Sequence, residues 1–369
     1  MRFLALLAWL FFAFSFFTAI RSAWLARLVG GLSRQHRLHH WLGLFAVALL
    51  VLHTLREIYV DSEVAFYFED PFLLLGWLSL LLLLLALGAS FANKVHHRWW
   101  IAIHWSFLLA FVLGFLHGLI FLHPGRIHAA LFYSIAALGS ASILGILYYR
   151  SRGRRWIVRE VQQVGGGLFE VVLRTERQGS TGLKAGSLVY VQLGHSFTQN
   201  WHPFSVASCR TSPELHLIVK NAGVDTSHLS DLEPGHSVLL QGPFAEFEIT
   251  ERPQVWVAAG VGIAPFLGMA RCFDYRKAGP VTLVYYTERI EEPIKMELDR
   301  LASEHPEFRW FHSEGKSADL AILDQTVSAD RKAQFLVCGS SAFMRKIRKH
   351  LIDLGLPTSD IETEEFTPW

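Results

Sequence analysis

Apolar residues run almost without a break through the first 149 positions and then give way to short alternating segments. Five stretches are long enough to cross a bilayer, roughly 3–20, 39–60, 71–91, 99–122 and 128–149. Charged joints separate them. Joint 21–38 holds Arg21, Arg27, Arg34 and Arg37, joint 92–98 holds Lys94 and Arg98, and RSRGRR follows at 150–155. Joint 61–70 is acidic instead, with Asp61, Glu63, Glu69 and Asp70. Arg and Lys mark the cytoplasmic side of a span. The three basic segments therefore fall inside and the acidic one outside, with Arg126 as the exception. Five spans put the N-terminus outside and the second half of the chain in the cytoplasm, and only Arg2 opposes this. Residues 1–20 could also be a signal peptide. The apolar run is long, however, and no A-x-A-like cleavage site precedes Arg21, so a retained span is expected.

From about 156 the period changes to two. WIVREVQQV, LFEVVLRT, SLVYVQL and LHLIVK read as short strands divided by turns, which is the pattern of an antiparallel barrel or sandwich to about 248. VWVAAGVGIAPFLGMAR, at 255–271, is a buried strand, a glycine turn and a helix. VTLVYYTER and QFLVCGSSAFMRK repeat the design, which argues for βα alternation on a parallel sheet. The turn at 260–265, with Gly260, Gly262 and Pro265, suits a phosphate at a helix N-terminus. It lacks the full GxGxxG fingerprint, so a plain tight turn explains it too. The expected division is a membrane domain at 1–150, a β domain at 151–250 and an α/β domain at 251–369.

The chemistry in the apolar half is histidine. His39 and His53 lie in one span and His104 and His117 in another, 14 and 13 residues apart. Ionisable side chains inside a span are rare and mark function. Imidazole is an axial ligand for haem iron, and 13 or 14 helical residues cover about 20 Å. Two such helices could clamp two stacked haems, His39 with His104 near the inner face and His53 with His117 near the outer. At ~100° per residue His39 and His53 share a helix face, whereas His104 and His117 do not. A bend or π-bulge near Gly114, or an offset between the haems, is needed. His40 competes with His39. Interfacial or hydrogen-bonded roles suit His36, His96, His97, His123 and His128 at span ends. A metal-ion transporter would add carboxylates at mid-membrane, and none lies at that depth here.

Composition changes this picture little. The 369 residues are 51% hydrophobic with a net charge of +2, and the basic residues form no nucleic-acid patch. Cys209, Cys272 and Cys338 have no metal-like spacing and read as free thiols of a reducing compartment. Arg56, three residues past His53, could pair a haem propionate, attract an anionic acceptor or simply snorkel to the interface.

With both halves read, the chain resembles the NADPH oxidase and ferric reductase superfamily from about residue 30 to its C-terminus. The histidine spans are similar to that family's bis-histidine spans, with five spans here where the family plan has six. HHWLG resembles the H-x-x-x-G entry to the haem span, and counting back from Gly43 favours His39. His202-Pro203-Phe204-Ser205 resembles the HPF[ST] flavin motif. Lys220, Gly223 and Thr226 resemble the basic-x-x-G-x-x-T stretch that holds the FAD pyrophosphate. Gly242-Pro243-Phe244 resembles the GP[YF]G turn, with Ala245 in place of the last glycine. The 260–265 turn resembles the nicotinamide pyrophosphate loop and Cys338-Gly339 the CG motif near the nicotinamide. Glu364-Glu365-Phe366 resembles the tail whose aromatic ring covers the flavin, and Trp369 is a second candidate.

The resemblance implies an all-α transmembrane haem bundle, an antiparallel β-barrel FAD domain and an α/β domain of ferredoxin-reductase type. It implies FAD, two b-type haems and NADPH or NADH as cofactors, with Arg289 favouring NADPH and Glu288 weakening that case. The implied activity carries electrons from cytoplasmic NAD(P)H across a cell inner membrane to oxygen, giving superoxide. A ferric chelate is the alternative acceptor, and a haem subunit of another membrane reductase is a further reading. Membrane lipid and a small-molecule acceptor are the implied partners. No nucleic acid and no obligatory protein partner are expected.

Overall fold

The computed structural model describes residues 2–365 other than 92–96, 121–125, 166, 176–178, 193–200, 221–231, 246 and 315–319. The chain divides into two compact units, Met1–Ser151 and Arg152–Trp369.

The first unit is helical. Its elements are α1 (Arg2–Ala19), α2 (Ala23–Val29), α3 (Leu32–Val60), α4 (Ser62–Ala65), α5 (Pro71–Phe91), α6 (His97–His104), α7 (Ser106–Ile120) and α8 (Arg126–Ser151). Among the described residues four helices are long and apolar enough to cross a membrane, with α6 and α7 read as one, or five if the bent pair α1–α2 is a span. The chain is a multi-pass membrane protein. α1 packs along α3 and α8, and α5 along α7. An aromatic cluster fills the centre, where Trp9 stacks on Phe111 at 5.0 Å and Phe132 at 4.8 Å. Leu52, Leu55, Leu85 and Leu144 face outward, as lipid requires.

Two expectations are corrected here. The stretch 21–38 is not merely a joint: it contains α2, and α3 starts at Leu32 rather than 39. Local chemistry explains it. The Ser22 hydroxyl caps α2, Gly30 ends it at φ +81°, and the buried Gln35 amide donates to the carbonyls of Thr18 and Ile20, satisfying the end of α1. The span 99–122 is interrupted at Trp105, not near Gly114. Leu108 N–H bonds to Trp105 C=O, a three-residue step. That tighter turn shifts the phase of α7 against α6. The Trp105 ring lies 5.5 Å from the Arg150 guanidinium. Gly114 instead brings α7 close to Ser79 and Trp9.

The second unit begins with a six-stranded antiparallel sheet of β1 (Arg154–Gly165), β2 (Leu168–Arg174), β3 (Leu188–Gln192), β4 (His202–Ser205), β5 (Glu214–Lys220) and β6 (Ser237–Ala245), in the order β4-β3-β6-β1-β2-β5. Trp156, Val158, Val171, Val189, Leu215 and Leu217 fill its inside. The edge strands approach each other where Val206 bridges Leu217 and Ala207 N–H donates to His216 C=O at 2.8 Å. The sheet is therefore curled, with its edges tied at one end.

A parallel sheet follows, built from β7 (Gln254–Ala259), β8 (Val281–Thr287), β9 (Phe308–Glu314), β10 (Gln334–Gly339) and β11 (Ile361–Glu365), in the order β11-β10-β7-β8-β9. Helices α9 (Ala264–Cys272), α10 (Tyr275–Ala278), α11 (Glu292–Glu304), α12 (Ala321–Ala329) and α13 (Ser341–Asp353) join the strands. Alternation along β7 sorts the two faces: Trp256 and Ala258 pack with Phe266 of α9 and Leu298 of α11, while Val255 and Val257 pack with Val327 of α12 and Ile347 of α13. β7 and β10 are neighbours although the chain leaves β7 towards β8. Their carboxyl ends form the switch point where open α/β sheets bind ligands.

Candidate functional site

In the membrane unit, His39 lies on α3 with its Nδ1 2.9 Å from the Ser15 carbonyl on α1 and 3.2 Å from the Ser15 hydroxyl. A carbonyl only accepts, so Nδ1 carries the proton and Nε2 keeps its lone pair. Ligating histidines are held in this way. His104, the last residue of α6, faces His39 with ring centroids 6.1 Å apart. Two imidazoles holding one metal ion between them would have ring centres roughly 6 Å apart, from two nitrogen–metal bonds of about 2 Å and about 1 Å from each nitrogen to its ring centre. The His104 Nδ1 atom is buried without a hydrogen-bond partner among the described residues, and its ring stacks on Trp100 at 4.8 Å. His40 is exposed and meets the edge of Phe91 instead. The residues fit a haem between His39 and His104.

His53, about 21 Å further along α3, is partly buried with Nδ1 3.7 Å from the Glu57 carboxylate, and Arg56 pairs with that same Glu57 at 3.0 Å. His117 on α7 donates from Nδ1 to the Phe72 carbonyl at 2.8 Å, the same tautomer as His39. A Cβ on Gly76 would stand 2.7 Å from His117 Nδ1, so this glycine makes room for the ring. Sequence reasoning missed Ser15 and Gly76. The available signal was a hydroxyl and a glycine set in apolar runs.

In the soluble unit, His202-Pro203-Phe204-Ser205 forms β4, paired to β3 with Val189 opposite Phe204 and Leu188 opposite Ser205. The Ser205 hydroxyl is buried and has no hydrogen-bond partner among the described residues. It is the orphan donor that a flavin edge would satisfy. Lys220 is exposed at the end of β5, while Gly223 and Thr226 lie outside the described residues. Gly242-Pro243-Phe244-Ala245 was expected as a turn and is the end of β6. It pairs with β3 across a register shift between Leu188 and Tyr190. A bulge accommodates Gly242 at φ +132° and a proline that cannot donate to a ladder.

The 260–265 turn follows β7 as a 3₁₀ turn and opens α9, with Pro265 in its first turn. A Cβ on Gly262 would lie 2.4 Å from the Cys338 carbonyl oxygen and 2.9 Å from Gly339 Cα. The two sequence motifs are thus in backbone contact at the switch point. The Tyr285 hydroxyl donates to the Gly260 carbonyl, and burial pushes its pKa up to about 12. Cys338 is fully buried, and burial first, then the Glu364 charge, raises its thiol pKa, so it stands as a neutral thiol. Glu364 sits opposite Cys338 in the β10–β11 ladder, which ends at Gly339 opposite Glu365. Phe366 and Trp369 lie outside the described residues. Arg289 is exposed just beyond β8, its carbonyl accepting from Thr287 at 3.1 Å.

Sequence reasoning also missed Arg271, at the end of α9. It donates to Glu170 on β2 at 2.9 Å, to the Ala207 carbonyl at 2.9 Å and to both oxygens of Glu297 on α11 at 2.6 and 2.9 Å. His216 also meets Glu170, at 3.0 Å. Burial alone would raise the Glu170 pKa, but the His216 hydrogen bond and the Arg271 charge overcome it and hold the carboxyl at about 2. The expectation of three free thiols is corrected beside this cluster. Cys209 and Cys272 form a disulfide, with Cα atoms 5.4 Å apart across 63 residues of sequence. The fold brings the end of β4 to the end of α9, a proximity that spacing does not reveal. Among the described residues only Cys338 is a free thiol.

A histidine-bearing membrane bundle followed by a curled antiparallel sheet and a doubly wound parallel sheet defines a membrane flavin and nicotinamide oxidoreductase. Protein-family models match in the same order: a ferric reductase like transmembrane component over residues 4–115, an FAD-binding domain over 155–246 and an oxidoreductase NAD-binding domain over 256–349. The chain has the domain architecture of the NADPH oxidase and ferric reductase superfamily. A component of the Na(+)-translocating NADH-quinone reductase of Methylococcus capsulatus is 28% identical over 167 residues, covering 39% of this chain and 40% of that protein. A flavohemoprotein of Rhodopirellula baltica is 25% identical over 218 residues, covering 50% and 53%. The chain thus spans about half or less of the length of these relatives. The FAD/NAD binding domain of a nitric oxide dioxygenase from Vibrio cholerae shares the fold, with a TM-score of 0.51 and 22% identity over 58% of this chain and 98% of that one.

Proposed function

We propose that this chain carries electrons from cytoplasmic NAD(P)H across a cell inner membrane to oxygen, producing superoxide at the outer face. When bound, FAD would take a hydride from NAD(P)H and release single electrons, and two b-type haems would relay them through the bilayer. The observation that carries the reading is the facing pair His39 and His104, set at the spacing one iron needs, with His39 fixed in the ligating tautomer by Ser15.

The remaining roles belong to the protein. His53 and His117 would hold the outer haem. Ser205 would donate its orphan hydroxyl to the flavin edge, and Lys220, Gly223 and Thr226 would hold the pyrophosphate of FAD. Gly260, Gly262 and Pro265 would let the nicotinamide cofactor's pyrophosphate approach the start of α9, beside Cys338 and Gly339. Arg289 favours a 2′-phosphate and hence NADPH. Phe366 or Trp369 would cover the flavin until nicotinamide displaces it. His39 and His104 would hold the inner haem.

The outer joint supports a neutral acceptor. Asp61, Glu63 and Glu69 are exposed there and repel anionic chelates, while the charge of Arg56 is taken by Glu57. The match to a ferric reductase like transmembrane component keeps a ferric chelate as the second reading. The test is stopped-flow NADPH oxidation by the purified holoprotein, with superoxide and ferrous iron assayed in parallel. Superoxide accounting for the electrons supports the proposal. Ferrous iron without superoxide replaces the acceptor, and no NADPH oxidation overturns the reading.

A further inference from the structure

The Cys209–Cys272 bridge joins the two segments assigned above to flavin and nicotinamide. Cys209 lies four residues beyond Ser205, the end of β4, and Cys272 ends α9, the helix opened by the 260–265 loop. The segments are already in close contact without the bridge. A Cβ on Gly268 would stand 2.6 Å from both Ala207 Cα and the Val206 carbonyl oxygen, so α9 lies directly on the backbone after β4. Arg271 then pins the Ala207 carbonyl at 2.9 Å and draws in Glu170 and Glu297. Reduction therefore would not separate the segments; it would remove one of three ties from a seam that sets flavin against nicotinamide.

Two further facts bear on this bridge. Cys272 is exposed and Cys209 only partly buried, which sets the bridge at the surface of its unit. In the functional reading above this unit lies on the cytoplasmic side, where structural disulfides seldom persist and those that occur are transient, catalytic or redox-sensing. Exposed disulfides are the labile and regulatory ones.

We propose that Cys209 and Cys272 form a thiol–disulfide exchange site through which a dithiol reductant slows hydride transfer. A thiolate of the reductant attacks one sulfur, the Cys209–Cys272 bond breaks, and the second reductant thiol resolves the mixed disulfide. Two electrons and two protons end on Cys209 and Cys272, and the reductant leaves as a disulfide. The oxidised form holds α9 tight against the segment after β4. The reduced form loosens that seam and misplaces the nicotinamide loop.

This rests on the functional reading above. The test uses the full chain with its cofactors in lipid nanodiscs, air-oxidised, or reduced with dithiothreitol and freed of it by gel filtration. Cysteines are mapped by alkylation and mass spectrometry, and anaerobic flavin reduction by NADPH is followed by stopped flow. The expected result is that Cys209 and Cys272 alkylate only after dithiothreitol, while buried Cys338 stays unlabelled. Flavin reduction should slow by more than about threefold, since sub-ångström to 1 Å misplacements cost up to ~100-fold. Cys272→Ser should be slow and indifferent to dithiothreitol. Alkylation of both cysteines in air-oxidised protein, a rate change below threefold, or a fast Cys272→Ser variant overturns the proposal. Should that variant not fold, the wild-type comparison decides alone. Absence of flavin reduction in both states overturns the functional reading and this proposal with it, whereas a bridged, flavin-reducing but unresponsive protein overturns this proposal only.

Discussion

Gly262→Ala tests how the nicotinamide loop is built. The added Cβ would stand 2.4 Å from the Cys338 carbonyl oxygen, where ordinary contact begins at 3.4 Å. The overlap is about 1 Å, and the opposing atoms cannot yield, because β10 is held in register by β7 on one side and β11 on the other. The loop must move instead. Overpacking of this kind costs about 1–3 kcal/mol of stability, and a displacement near 1 Å in a positioning element can cost on the order of 100-fold in rate. Gly262→Ala should therefore lower the rate of flavin reduction by roughly 10- to 100-fold while leaving FAD content unchanged, because Ser205 and Lys220 belong to the other sheet.

Gly260→Ala is the matched control. A Cβ at Gly260 would meet no atom within 4 Å, but the φ of +54° there is left-handed, which costs an L-residue about 1–2 kcal/mol. The two variants should lose similar stability and differ in rate. Stopped-flow flavin reduction, thermal unfolding and FAD quantitation separate the terms. Equal rate losses in both variants, or a wild-type rate in Gly262→Ala, would refute the close-approach argument.

Three other outcomes follow from the geometry. His39→Ala should lower pyridine haemochrome from two haems per chain towards one, while His40→Ala keeps both; the reverse result reassigns the inner ligand. Gly76→Ala should displace the His117 ring and alter the outer haem's low-spin electron paramagnetic resonance signal while sparing the inner one, and loss of the inner signal would contradict the pairing. Burial pushes the Glu362 carboxyl up to about 7, with the Glu248 N–H opposing and its charge adding. Because the fold favours the protonated form, this contribution is complete below pH 4.5, the group's usual value, and is lost as pH rises through 7. Glu362→Gln should flatten that fall in Tm between pH 4.5 and 8, and parallel Tm curves for the two proteins would show that Glu362 does not titrate as described.

Local patterns were legible in the sequence. The apolar runs gave the spans, alternation gave the strands, and the 255–271 run gave a strand, turn and helix where β7, the 3₁₀ turn and α9 stand. Long-range pairs were not. Ser15 reaches His39 across 24 residues, and His117 reaches Phe72 across 45, so no local period could report either bond. Cys209 and Cys272 meet only because the end of β4 and the end of α9 are packed together, and composition pointed to free thiols instead. The interruption at Trp105 escaped for another reason: glycine is the usual suspect for a bend, but here a three-residue hydrogen bond makes it. The segment 242–245 resembled a turn by motif, yet the bulge that admits Gly242 and Pro243 to β6 depends on β3 beside it.

The most direct test is anaerobic stopped-flow mixing of NADPH with the holoprotein, with flavin and haem absorbance followed together in wild type and in His53→Ala. In wild type the flavin should bleach first, both haems should then be reduced, and admitted oxygen should reoxidise them with release of superoxide. In His53→Ala flavin and inner-haem reduction should persist while superoxide release stops. Flavin reduction with no electron reaching haem in the wild type, or undiminished superoxide from His53→Ala, would contradict a route across the membrane through the two histidine pairs.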